Sequence, residues 1–369
     1  MMANGNNVLQ CGEFGADDFA LQYSGDINLF LDELERREMN TVRPAIDTKA
    51  IDFLTQQDLV THGFQCKNLL QNQNRLFLKV QDTIYPISEN AFISIKSRIE
   101  IFGKGLLELP DNLLKGVLND RIKSIAQVRL IIIDDKVRAI MSAATSGYKV
   151  MPTKEVVETT LDALESKFEE IEFKNAQLTY DLLYLKVLFP EKTEIIQDLY
   201  GKPLQYIPGI MLRTSDTGYA ANEIFPIWDI KGGSVIFGDT DETVRVVHRG
   251  KTASVENLKD EIPNIFLKLR DTINLVQKQM AYKVKYPTLT IENACEKLKL
   301  GKRDTRQMLE RYELFSFSNP NIEINGYHIT QFFIDMACQE TDENKKRALE
   351  VIAGKAFNLK YEKLDKELD

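Results

Sequence analysis

The chain has 369 residues, 43% of them hydrophobic and 28% charged, which excludes a disordered or fibrous protein and is ample for a sizeable core. Its formal net charge of −8 repels phosphate on average, so any grip on nucleic acid needs a local basic face. Four cysteines, Cys11, Cys66, Cys295 and Cys338, are spread along the chain without a CxxC pair, which excludes a disulfide scaffold and favours reduced thiols.

The first residues, MMANGNNVLQCGEFGADDF, lack the basic start and apolar run of a signal peptide. No apolar run reaches bilayer-spanning length. The expected location is the cytoplasm.

Residues 1 to about 25, rich in Gly, Asn and Asp, read as a poorly ordered lead-in. Leu29, Leu31 and Leu34 predict a helix near 28–37. A strand follows at 75–80, a turn at Gln81-Asp82 and a short strand at 83–86. Ser88 has the chemistry of a helix cap, with Ala91, Ile95, Ile99 and Phe102 at helical spacing behind it. Pro110-Asp111 opens a helix with an apolar stripe from Leu113 to Ile122.

Residues 128–133 and 137–141 predict a hairpin turning at Asp134-Asp135-Lys136. A helix starts at Pro152-Thr153, with Val156, Val157, Leu161 and Leu164 on its apolar face. Residues 180–189 read as a strand buried on both faces, and 193–199 as a short helix ending at Gly201. From Tyr206 to His248 the pattern is all-β, with candidate strands at 210–214, 219–228, 234–237 and 244–248. The remainder reads as helical: a long helix from near Pro263 to Met280, then shorter ones near 291–298, 304–312, 326–338 and 342–357. The predicted class is α+β, with an antiparallel, sheet-rich middle, packed helices and a helical C-terminal region. Three segments follow: 1–87 a lead-in and small α/β segment, 88–253 the α+β core, and 254–369 the helical region.

There is no P-loop, Rossmann glycine fingerprint or GxSxG elbow. His62, His248 and His328 have no ligand partner at metal-binding spacing, so no zinc site is expected. The loop Gly238-Asp239-Thr240-Asp241-Glu242 starts like a calcium loop but lacks the later glycine and distal glutamate, and turn chemistry explains it. A metal-dependent hydrolase built from Asp216, Asp229, Asp239 and Asp241 has no diagnostic spacing behind it.

The stretch VRVVHRGK, 244–251, is the best basic patch, and a charged strand edge is its structural alternative. Tyr148, Tyr219, Phe225 and Trp228 are candidate stacking platforms. Core packing is the better reading for Phe225 and Trp228, while Tyr148, after Gly147, is more open to a functional role. Residues 291–314 have the cadence of a helix-turn-helix, whose second helix would present Arg303, Arg306, Gln307 and Glu310.

The run VRAIMSAATSGYKVMPTKEVVETTL resembles the phage- and plasmid-associated family called domain of unknown function 932 (DUF932), through Arg138, Ala139, Ser142 and Tyr148. The likeness extends to LLELPDNLLKGVLNDRI and to PGIMLRTSDTGYAANEIFPIWDIKGG, on Pro208, Gly209, Ser215, Asp216 and Gly218, and covers about 88–357. It implies a mobile-element setting, often beside DNA-processing genes, and no known catalytic residue. The expected function is a phage or plasmid DNA-associated protein without catalytic activity, binding or annealing single-stranded DNA in recombination or replication, as a homo-oligomer. Its nucleic-acid-binding residues would be Arg138, Tyr148, Lys149, Arg213, Arg245, His248, Arg249 and Lys251, gathered on one sheet surface. The alternative is a phage structural, assembly or anti-defence protein acting through phage or host protein contacts. No cofactor, metal, catalytic residue or membrane contact is expected.

Overall fold

A computed structural model describes residues 21–61, 76–101, 105–144, 147–197, 202–230, 233–238, 243–248, 253–260, 262 and 271–366. In chain order the first elements are β1 (Leu21–Ser24), α1 (Ile27–Met39), β2 (Thr41–Val42), β3 (Ala45–Asp47), β4 (Ile51–Thr55), α2 (Gln56–Thr61), β5 (Leu76–Val80) and β6 (Thr83–Pro86). There follow α3 (Glu89–Arg98), α4 (Gly105–Glu108), α5 (Asp111–Ile122), β7 (Gln127–Ile133), β8 (Lys136–Ser142), α6 (Thr153–Glu165), β9 (Glu172–Leu178) and β10 (Leu183–Leu188). Next are β11 (Glu194–Gln197), β12 (Pro203–Thr214), β13 (Asn222–Ile230), β14 (Gly233–Ile236) and β15 (Val244–Val246). The C-terminal helices are α7 (Asp271–Ala281), α8 (Pro287–Lys297), α9 (Lys302–Ser318), α10 (Gly326–Gln339), α11 (Glu343–Phe357) and α12 (Tyr361–Leu364). The fold is α+β, with antiparallel sheets and helices in the C-terminal region.

Local chemistry accounts for several boundaries. The Ser88 side chain accepts from the Ala91 N–H at 3.1 Å and starts α3. Asp134 and Asp135 turn the β7–β8 hairpin with φ of 48° and 55°, the two left-handed residues that a type I′ turn requires. The segment 193–199, read as a helix, instead contains β11, whose adjacent isoleucines pair with β12 through Ile195↔Gln205 and Ile196↔Leu204. β-branched residues beside a long unpaired edge favour the ladder over a four-residue helix. Residues 215–221, expected partly as strand, form a turn, and β13 begins only at Asn222. Residues 263–270 of the predicted long helix lie outside the described residues, and α7 runs from Asp271.

The largest sheet has the order β1-β9-β10-β12-β13-β14, with β11 on β12 and β15 on β13. A second sheet centres on β7, paired with β2, β3 and β8, and a third has the order β4-β5-β6. Strands from the first 87 residues therefore pair with β7 and β9 of the later chain. Alternation of side chains splits the large sheet into two faces. On one, Leu185, Val187, Ile210, Leu212 and Ile224 pack with Phe30 and Leu34 of α1 and with Val156, Val157 and Leu164 of α6. Farther along the same face, Tyr206, Trp228 and Ile230 pack against Tyr327, Phe332 and Phe333 of α10. Trp228 is core, as expected.

The opposite face is covered at one end by α11. There Gly354 approaches so closely that a Cβ would lie 2.0 Å from the Ile236 carbonyl oxygen. Lys186 of β10 donates to both carboxylate oxygens of Glu350 at 2.9 and 2.7 Å, and both residues are buried. Arg347 lies 3.5 Å from the Tyr184 ring centroid and donates to Gln177 Oε1. Among the described residues, no helix is long and apolar enough to cross a membrane.

Candidate functional site

The sheet face that α11 only partly covers carries a polar row set by strand register. Gln22 pairs with Gln177, Gln177 with Tyr184, Tyr184 with Arg213, Arg213 with Glu223, and Glu223 with Arg245. Directly opposed residues on adjacent strands point to the same face, so these six side chains form one band across the sheet. Two rows along, the pairing Leu188↔Gly209↔Ile227↔Ile236 is apolar where α11 covers it.

Between the open end of this face and α3 lies a cleft of about 920 Å³. The sheet contributes Tyr184, Arg213 and Arg245, α3 contributes Asn90, Ser94, Ser97 and Arg98, and α11 contributes Asn344. Tyr148, Gly218, Tyr219, Ala220 and His248 complete one end. Among the described residues the lining holds three arginines and no carboxylate side chain. Glu223 sits behind it, 8% exposed, paired with both Arg213 and Arg245, the latter at 3.2 Å. One carboxylate between two guanidiniums leaves that part of the band net positive. Arg213 also lies 5.7 Å from the Phe225 ring centroid.

The structure brings together Tyr148, Arg213, Arg245 and His248 of the predicted set. Arg245 is the most open, with 63% of its side chain exposed. Tyr148 is part of the wall and 7% exposed: its ring stacks on His248 at 4.8 Å and its hydroxyl donates to the Asp216 carbonyl at 2.8 Å. Burial and the Asp216 charge push its pKa well above the ordinary phenol value, so it is a neutral hydrogen-bond donor. His248 is 6% exposed and hydrogen-bonds through Nδ1 to the Lys149 carbonyl at 3.1 Å, while the Lys149 N–H donates back to the His248 carbonyl at 2.8 Å. Burial lowers the His248 pKa, outweighing the backbone oxygens of Lys149, Ala220 and Ser215 and the Asp216 charge, so the ring is neutral at pH 7.

Lys149 is exposed but does not line the cleft. Arg138 is 4% exposed beneath Tyr180, with its guanidinium 3.4 Å from the ring centroid. It belongs to a buried layer in which Asn90 donates to the Arg138 carbonyl at 3.1 Å, and it does not reach the open surface. Arg249 and Lys251 lie outside the described residues, as do His62, Asp239 and Asp241. In the expected helix-turn-helix, Arg306 is exposed and pairs with Glu310 at 2.9 Å, and it does not line the cleft.

Sequence reading passed over Arg98, and it named Tyr219 as a candidate stacking platform without including it among the nucleic-acid-binding residues. Arg98 comes from a helix read only for its apolar stripe, and Tyr219 from a segment read as strand. The turn Ser215–Gly218 is tied down on every side. Arg37 and Arg43 reach the Asp216 carboxylate at 3.5 and 3.4 Å, Thr217 Oγ1 donates to Asp181 at 3.0 Å, and Asn90 donates to the Thr217 carbonyl at 3.4 Å. Gly218 has φ +71°, and a Cβ there would lie 2.2 Å from Met141 Cε. Among the described residues, no group of three or more His, Cys, Asp or Glu is placed to hold a metal ion. Comparison with protein-family models, with curated proteins and with solved structures finds no match to this chain.

Proposed function

We propose that this protein binds single-stranded nucleic acid in the cleft between α3 and the large sheet, in a phage or plasmid setting and without catalysing a reaction on it. The observation that carries this reading is a lining that, among the described residues, holds three arginines and no carboxylate, in a chain whose net charge is −8. Guanidiniums on two opposed walls, Arg98 on the helix and Arg213 with Arg245 on the sheet, suit a phosphate backbone passing between them. Neutral, buried His248 and Tyr148 shape that end of the wall without adding charge. The mobile-element setting rests on the resemblance of the hairpin–helix and SDTG segments to DUF932.

The test is fluorescence anisotropy with a labelled oligothymidylate at low and moderate salt. Arg98→Gln combined with Arg245→Gln removes one cation from each wall and should weaken binding by about thirty-fold or more, at roughly 1–2 kcal/mol per charged contact. It should also flatten the salt dependence. Unchanged affinity in the double variant, or no binding by the wild type at low salt, would reject the reading. A second reading, a phage structural, assembly or anti-defence protein, has one observation in its favour. Leu314 and Phe317 on α9 are 69% and 89% exposed, three residues apart on one helix face.

A further inference from the structure

The turn that closes one end of the cleft ends in an exposed aromatic ring. Ser215, Asp216 and Thr217 are 2%, 2% and 0% exposed, yet Tyr219, two residues on, is 57% exposed. Its backbone N–H donates to Ser215 Oγ at 3.1 Å, so the main chain that carries the ring is held by the same buried bonds as the turn. Gly218 fixes the direction: its φ of +71° is a backbone conformation that other residues rarely adopt, and it packs against Met141 and the Tyr148 ring. A large apolar surface is thus presented to solvent on backbone anchored by buried hydrogen bonds. Ordering a flexible loop is a main cost of binding, and here that cost has been met in folding. Tyrosine, with only two side-chain torsions, adds little more.

Tyr219 shares the cleft lining with Arg213 and Arg245. A cationic band beside a rigid exposed ring matches the two chemical parts of an unpaired nucleotide, phosphate and base face. Tyr184, another aromatic of the lining, already has Arg347 against its ring at 3.5 Å. Tyr148 is stacked on His248. Of the tyrosines in the lining, Tyr219 is the one whose ring is mostly open.

We propose that Tyr219 is the base-stacking platform of this cleft and that it makes the site select unpaired nucleobases over duplex. The proposal rests on the single-strand reading above and adds to it where discrimination resides. Arginines contact the phosphates of either form, but only an unpaired base offers a face to a ring at the cleft wall.

Three probes of equal length separate the contributions: labelled oligothymidylate, the same chain with abasic sites in place of bases, and duplex DNA. The wild type should bind the oligothymidylate about ten-fold more tightly than the abasic chain, the scale of one or two stacked bases. Tyr219→Ala should lose that preference while keeping its affinity for the abasic chain, and Tyr219→Phe should retain the preference. Circular dichroism should be unchanged in both, because the ring is exposed. Tyr219→Trp gives a direct signal: its fluorescence should be quenched by oligothymidylate and not by the abasic chain, since the native Trp228 is 3% exposed and away from the cleft. A Tyr219→Ala protein that still prefers bases overturns the platform while leaving the single-strand reading in place. Failure of the wild type to bind any of the three probes overturns both.

Discussion

Glu223 decides how much of the cleft's positive charge is on offer. It stands between Arg213 and Arg245 in the cross-strand row, 8% exposed, and pairs with both. The two arginines are visible in the sequence as basic residues on strands. The carboxylate between them is not, because its position depends on the registers Arg213↔Glu223 and Glu223↔Arg245. A shift of one residue would turn Glu223 to the other face and leave a bare cationic patch. Glu223→Gln should therefore tighten oligonucleotide binding at low salt by about five-fold, on the scale of ~1 kcal/mol for freeing a partly exposed arginine, and the gain should fade as salt rises. The melting temperature should fall at the same time, since Arg213 loses its partner. Anisotropy titrations of the variant check this, and a weaker complex at low salt would mean that Glu223 positions the arginines rather than masking them.

At the level of elements, most helices and the central hairpin were legible because their signals are local. Apolar spacing marks α5 and α6, Ser88 caps α3, and the Asp134-Asp135 pair turns β7 into β8. The strands β9 and β11 were not, because EFKNAQL and EIIQ show no clean alternation and acquire strand form by pairing with neighbours already in place. Helix α10 carries a cap that titrates. The Asn325 side chain accepts from the His328 N–H at 2.9 Å, and His328 Nδ1 accepts from the Asn325 N–H at 3.0 Å. A protonated Nδ1 cannot accept, and burial already lowers the His328 pKa, as it does that of His248. In the unfolded chain both rings take up protons near pH 6.5, whereas the folded protein resists until lower pH, so the unfolded state binds more protons in between. Stability should hold above about pH 6.5 and decline as the pH drops through that value toward the folded pKa values. Asp58 and Asp365, whose pKa values the fold lowers, add their own loss only below about pH 4. Thermal melts between neutral pH and about pH 5 measure the histidine part. His328→Gln keeps a cap acceptor and His248→Asn keeps a donor near Nδ1, so the pair of substitutions should flatten the curve. A wild-type curve already flat over this range would contradict the argument.

Across the whole molecule, the site depends on where α11 stops. The helix covers the apolar rows of the sheet face and ends at the lip of the cleft, which Asn344 lines from its first turn. Sequence periodicity shows that 343–357 is a helix, but not which of two sheet faces it covers, because the contacts made there, among them a buried ion pair, join residues as far as 164 positions apart. Lys186 and Glu350 are 8% and 2% exposed, and Glu350 Oε1 also lies 3.3 Å from the Ser234 N–H of β14. Such a pair gains little over a well-packed apolar pair, since both charges have left water, but removing one partner strands the other. Lys186→Met should destabilise the protein by about 3–5 kcal/mol through the unpaired carboxylate at Glu350. Adding Glu350→Gln removes that charge while leaving an acceptor for Ser234, and most of the loss should be regained. Urea denaturation of the two single variants and the double variant measures the coupling. Strictly additive losses would mean that the ion pair does not hold α11 to the sheet, and that apolar packing around Gly354 and Val351 fixes the helix, and with it the open end of the cleft, on its own.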